Sequence, residues 1–150
     1  MISVSQRSDD LVVLIAEDDE DDFSFFKEAV SQCNVGTDLR WVKDGEEALD
    51  YINRRDEYAE PESSPRPSLI FLDISMPKKS GLDIVPELKE HPEIKKVPIV
   101  MVTTSNSYKD VGEAYEKGAN SYIRKPTGLR QMEEFKKLIG SYWSPLCLIP

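Results

Sequence analysis

Six consecutive acidic residues, Glu17 to Asp22, follow directly on the apolar run Leu11 to Ala16. Three further apolar segments also end in reactive side chains. Asp73 closes one in LIFLDISMPKKSG, Thr103 closes another in IVMVTTS, and Lys125 follows the last in SYIRKP. Carboxylates, a hydroxyl and an amine gathered around one metal can hold a phosphoryl group. Aspartate is a covalent acceptor of phosphate in such chemistry, and Mg2+ and Lys neutralise charge on the transferring group. If Glu17, Asp18 and Asp73 converge, their repulsion is large. Two unit charges about 4 Å apart cost ~4 kcal/mol at an effective dielectric of about 20, against a total domain stability of ~5–15 kcal/mol. A divalent cation relieves this, and hard carboxylate oxygens with room for water suit Mg2+. Asp19 to Asp22 have a different explanation, because a helix N-terminus favours each negative charge by ~0.3–1 kcal/mol. Taken alone, the acidic run also fits a solvated charged face, and a strand-end Thr or Lys is commonly structural. The joint pattern is what points to chemistry.

These side chains need a scaffold that brings strand ends together. Leu11 to Ala16 reads as a strand buried on both faces, and Leu39 to Val42, Leu69 to Leu72, Ile99 to Val102 and Ser121 to Ile123 are comparable. Helical spacing lies between them, carried by Phe23, Phe26, Val30 and Cys33, then Ala48, Leu49 and Ile52, then Ile84, Val85 and Leu88, then Val111 and Tyr115. A last helix carries Leu129, Met132, Phe135, Ile139 and Trp143. Five strands alternating with five helices predict an α/β fold, a parallel sheet covered on both faces. Sites in such sheets lie beyond the carboxyl ends of the strands, near the point where strand order reverses.

With 150 residues, 39% of them hydrophobic, the chain fits one domain. A formal charge of -9 argues against a nucleic-acid surface. No apolar stretch reaches the ~20 residues of a membrane span. Residues 1–10 are polar, without a signal-peptide core, and read as a frayed terminus. Two cysteines, Cys33 and Cys147, make neither a disulfide framework nor a metal cluster, so a reducing cytoplasm is the expectation. Residues 53–67, NRRDEYAEPESSPRP, read as a polar surface insertion. Residues 144–150, SPLCLIP, form an apolar tail that is odd for an exposed end.

The motifs AEDD, FLDISMP, MVTTS and YIRKP, in that order, resemble the receiver domain of two-component response regulators over roughly Leu11 to Tyr142. The resemblance implies a flavodoxin-like (βα)5 doubly wound sheet of order 2-1-3-4-5, with residues 11–143 as the receiver. It implies that Asp73 is the phosphoacceptor, that Asp18 ligates Mg2+ directly and that Glu17 ligates it largely through water. Ser75 would offer its backbone carbonyl to the metal. Thr103 would move to the phosphoryl oxygen, Lys125 would pair with the phosphate, and Tyr122 would change rotamer with Thr103. Tyr122 also reads as an ordinary half-buried sheet-edge aromatic. The expected function is phosphoryl acceptance from a sensor histidine kinase. The face of the fourth helix, fifth strand and fifth helix would then shift, signalling by protein contact and not as an enzyme on other substrates.

No output domain follows the last helix, so the expectation is a single-domain regulator. The insertion, the ending YWSPLCLIP and the run MVTTS resemble the small regulators that partner phytochrome-type histidine kinases in bacteria. In that group the extended end often supports a homodimer. Trp143, Leu146, Leu148 and Ile149 would otherwise form an exposed apolar patch, unless the tail folds back on its own sheet. Two departures stand out: Thr104 sits where many receivers carry something smaller, and Thr127 where an aromatic is frequent. His91 is expected to face solvent, and Lys78 and Lys79 either help dock a kinase or belong to a solvated loop. A phosphatase of the haloacid dehalogenase type would want an acid two residues after Asp73, where Ser75 stands. A calcium loop would need a glycine at its sharp turn, absent from AEDDEDDFSFFKEAV. A receiver-shaped binding module that is never phosphorylated remains the third alternative.

Overall fold

The computed structural model describes residues 11–32, 36–105 and 107–142. The readings of residues 1–10, Cys33, Trp143 and the 144–150 tail lie outside them. Five parallel strands, β1 (Leu11–Ala16), β2 (Thr37–Val42), β3 (Leu69–Leu72), β4 (Ile99–Thr103) and β5 (Ser121–Arg124), form one sheet of order β2-β1-β3-β4-β5. Five helices connect and cover them: α1 (Glu20–Ser31), α2 (Gly45–Asn53), α3 (Gly81–Glu90), α4 (Tyr108–Lys117) and α5 (Leu129–Tyr142). The expected doubly wound sheet is therefore present. Strand order reverses between β1 and β3, and the register sets Ala16 beside both Val42 and Leu72. Glu17 and Asp73, each one residue further on, leave the sheet side by side.

Alternation in the central strands splits the core in two. Leu14, Ala16, Ile70, Leu72 and Met101 pack under α2, α3 and α4. Val13, Ile15, Phe71, Val100 and Val102 pack under α1 and α5, where Phe26 meets Phe71 edge-on at 4.5 Å and Phe135 at 5.4 Å. The edge strand β2 begins two residues before the expected Leu39. Its polar start, Thr37 and Asp38, still pairs with Leu11 and Val12, and Asp38 accepts two hydrogen bonds from Arg40 on the same strand face at 2.9 and 3.1 Å. Polar residues suit an open sheet edge.

The starts of α1, α2 and α3 have a local cause. Asp19 caps α1 by accepting from the Asp22 N–H at 3.0 Å, and Asp44 caps α2 by accepting from the Glu47 N–H at 2.7 Å. Ser80 and Asp83 form a reciprocal capping box on α3. Pro86 inside α3 has no N–H for the Leu82 carbonyl, and Lys117 of α4 donates to that carbonyl instead at 3.3 Å. The 53–67 insertion contains two short 3-10 turns, Asp56–Tyr58 and Pro61–Ser63. It packs down more closely than its polarity suggests. Ser64 is fully buried, donating to the Tyr58 carbonyl and accepting from Arg54. Arg66 donates to the last carbonyls of α2, Tyr51 and Ile52. His91 also departs from expectation: it is half-buried at the end of α3, and its Nδ1 accepts from the Glu93 N–H at 3.1 Å.

Candidate functional site: an acidic pocket closed by a lysine

Beyond the carboxyl ends of β1 and β3, one ligand oxygen from each of Glu17, Asp18 and Asp73 lies within 4.8 Å of the others. Glu17 is 5% exposed and Asp73 4% exposed, whereas Asp18 opens to solvent. Lys125, carried in by β5, closes the pocket. Its Nζ stands 2.6 Å from Glu17 Oε1, 2.7 Å from Asp73 Oδ2 and 2.8 Å from Asp22 Oδ2. The remaining carboxylate oxygens are held by backbone. Glu17 Oε2 accepts from the Asp19 N–H at 3.1 Å, and Asp73 Oδ1 accepts from the Ser75 N–H at 3.1 Å.

Burial and charge leave marks on both key ionisable groups. Burial, reinforced by the nearby Asp73 charge, pushes the Glu17 carboxyl up to about 8, even though Lys125 opposes the shift. Burial disfavours the Lys125 ammonium, but its hydrogen bonds to Asp22, Asp73 and Glu17 outweigh that and raise it above the ordinary lysine range. A buried cluster in which one carboxyl gains so much proton affinity has room for more positive charge than one ammonium supplies. Three hard oxygen donors at this spacing fit a divalent cation, and Glu17, Asp18 and Asp73, three of the four residues named for metal binding from sequence, are brought together.

Two residues frame the fourth strand end. Thr103 is fully buried, and its Oγ1 has no hydrogen-bond partner among the described residues. Its carbonyl accepts from the Lys125 N–H at 2.7 Å, which fixes the lysine's strand beside it. Leaving a buried hydroxyl unsatisfied costs ~1–3 kcal/mol. Thr103→Val, which keeps the shape and drops the hydroxyl, is therefore expected to raise stability by about 1 kcal/mol, read as a higher urea midpoint. An unchanged or lower midpoint would mean that the hydroxyl is satisfied. Tyr122 is half-buried against the α2–α4 side of the core, with its hydroxyl donating to the Ser105 carbonyl at 2.8 Å. Lys78 and Lys79 sit in loose ion pairs with Asp44 and Glu87 at 3.7 and 3.8 Å.

Sequence reasoning missed two residues of this site. Asp22, assigned to the helix start, also reaches Lys125, because the first turn of α1 faces the pocket as well as solvent. Trp41, at the end of β2, donates from its indole Nε1 to the Glu17 carbonyl at 2.7 Å and stacks flat on Phe23 at 4.1 Å. An aromatic three residues before a helix cap was the available signal.

The profile of the response regulator receiver domain family matches residues 13–136. The chain is 33% identical over 139 residues to the response regulator Rcp1 of Synechocystis sp., covering 93% of this chain and 92% of that one. The crystal structure of the Mn(2+)-bound form of Rcp1 superposes with a TM-score of 0.84 at 33% identity, covering 93% of this chain and 98% of that one. The phosphorylated cyanobacterial phytochrome response regulator RcpA superposes at 0.85 with 32% identity, covering 94% and 99%. No helix among the described residues is long and apolar enough to cross a membrane. With the family profile spanning most of the chain and these relatives matching nearly its whole length, the chain belongs to the response regulator receiver family.

Proposed function

We propose that this receiver accepts a phosphoryl group on Asp73 from a sensor histidine kinase of the phytochrome type, in a Mg2+-dependent reaction in the cytoplasm. The observation that carries the reading is the buried Asp73 carboxylate, held by Lys125 at 2.7 Å and flanked by Glu17 and Asp18 within ligand distance. In the transfer, an Asp73 oxygen attacks phosphorus in line and the phosphorus–nitrogen bond of the donor phosphohistidine breaks. Its electron pair leaves with the imidazole, which takes up a proton. Glu17, Asp18, Asp73 and the Ser75 carbonyl would hold Mg2+, which when bound neutralises charge on the phosphoryl oxygens. Lys125 supplies a second positive charge from the other side. The unpartnered Thr103 hydroxyl is a hydrogen-bond donor in waiting, and Tyr122 follows it by exchanging its bond to Ser105 for an inward rotamer. Incubation with acetyl phosphate and Mg2+ is expected to add the mass of one phosphoryl group, and Asp73→Ala to abolish the addition. An unmodified wild-type chain would favour the inert binding module instead.

The phytochrome partner rests on the relatives, among them the RcpA regulator and a regulator in red light signalling of R. palustris. The output surface is the α4-β5-α5 face. It carries the exposed large apolar side chains Tyr108, Tyr115, Leu129 and Leu138, Tyr108 at 96% and Leu129 at 83% exposure. A two-fold contact that includes the 144–150 tail would cover them. At micromolar concentration the full chain is expected to sediment as a dimer and a chain ending at Ser141 as a monomer; monomers for both would remove the dimer from this reading.

A further inference from the structure

Lys125 and a divalent cation draw on the same two carboxylates, Glu17 and Asp73. Of the three carboxylates on the ammonium, Glu17 and Asp73 also belong to the metal triad, and Asp22 does not. If Lys125 had only the first two partners, metal binding would have to strip a buried ammonium of its counter-charges. Such stripping is costly, because an unpaired charge at low exposure loses both solvent and partner. Asp22 changes that balance. It stands on the first turn of α1 with its side chain 46% exposed and one carboxylate oxygen 2.8 Å from the Lys125 Nζ. A cavity of about 140 Å3 opens beside the ammonium, lined by Lys125, Glu17, Asp21 and Asp22 and by apolar side chains of α1 and α5 such as Phe26 and Phe135. The ammonium has a counter-charge and free space in one direction.

Resting on the metal site read above, we propose that Asp22 is a positioning residue for Lys125. Its carboxylate keeps the ammonium paired on the α1–α5 flank when a divalent cation takes Glu17 and Asp73, so that lysine and metal can occupy the pocket together. Asp21, one residue earlier, is the natural comparison. It shares the helix turn and the charge, is exposed, and has no contact with Lys125 among those resolved for the described residues. Without the Asp22 carboxylate, the carboxylates left in contact with Lys125 are the metal's own ligands, Glu17 and Asp73. Loss of the Asp21 carboxylate removes only a screened surface charge.

The test is Mn2+ binding, followed by the electron paramagnetic resonance of free Mn2+, a readout that requires no phosphoryl transfer. Asp22→Asn is expected to weaken binding about fivefold, the size of a direct side-chain coupling. Asp21→Asn is expected to change it by less than about twofold. In a Lys125→Met background the competitor is gone, and the two asparagine variants should become equivalent. Equal effects of the two in the parent chain, or a fivefold loss at Asp22 that persists without Lys125, would overturn the proposal while leaving the metal site standing. A parent chain that takes up no Mn2+, or takes it up equally well with Asp18→Asn, would overturn the metal site and this inference with it.

Discussion

Lys125→Met is expected to cost about 3 kcal/mol of stability in a chelating buffer, the lower end of the ~3–5 kcal/mol typical of breaking a buried ion pair by removing one partner. The reason is the neighbourhood it leaves behind. Lys125 is the ammonium that contacts Glu17 and Asp73, whose side chains are only 6% and 5% exposed, and the methionine would face both with an apolar end. The lower end of the range applies because Glu17, already pushed up to about 8, can take a proton and limit the repulsion. For a domain of this size the loss corresponds to a fall of roughly 6–12 °C in Tm. Millimolar Mg2+ should restore most of it, since the cation supplies the missing charge to the same carboxylates. The parent chain should gain much less from Mg2+ than the variant does. Thermal unfolding of both, with chelator and with Mg2+, checks the expectation. Equal gains would show that lysine and metal do not serve one cluster.

The second large effect is a pH dependence whose slope should depend on metal. The ordinary value of Glu17 is 4.5 and folding raises it to about 8. Between those values the folded chain holds a proton that the unfolded chain has released, so stability falls as pH rises through the window. Below it the contribution is fully present, and above pH 8 it is lost. The full shift corresponds to at most about 5 kcal/mol over the window. Lys125 does not offset it, because its proton affinity is raised and it stays charged throughout. A bound divalent cation reverses the preference, since it takes the ionised carboxylate. Urea unfolding in chelator should therefore give a midpoint that drops from about pH 5 to about pH 8, and saturating Mg2+ should flatten or invert that trend. Glu17→Gln should be flat in chelator. A slope that survives either change would place its origin elsewhere.

The sheet and the acidic pocket were legible because the strand-end residues are read out by topology. Once β1 and β3 are known to be neighbours, Glu17 and Asp73 must emerge together, and the same logic brings Thr103 and Lys125 to one rim. What the sequence hid were polar residues whose burial follows no period. Ser64 sits fully buried in a stretch read as a surface excursion, because its hydroxyl accepts from Arg54 and donates to the Tyr58 carbonyl while its own carbonyl accepts from Arg54 and Arg66. Apolar spacing carries no signal for such a cluster. Tyr58 is similar: its hydroxyl donates to Glu47 Oε2 at 2.5 Å and ties the insertion back to the start of α2. Asp22 was hidden for a different reason. A carboxylate at a helix start already has a sufficient local explanation, and only the approach of a lysine 103 residues away reveals the second one.

The two walls of the pocket are built differently. A Cβ on Gly81 would lie 2.2 Å from the Asp73 carbonyl oxygen, and one on Gly45 would lie 2.2 Å from the Lys79 carbonyl oxygen. The segment from Asp73 to Gly81 is thus gripped by bare backbone at both ends, with no side chain able to yield. Across the pocket, Gly128 has nothing within 4 Å of the equivalent point, and the Thr103 hydroxyl is unengaged. The arrangement is that of an anvil facing a loose jaw. Phosphorylation of Asp73 as proposed would meet an unyielding surface on its own side, and displacement would then run outward through β4, β5 and the helices behind them.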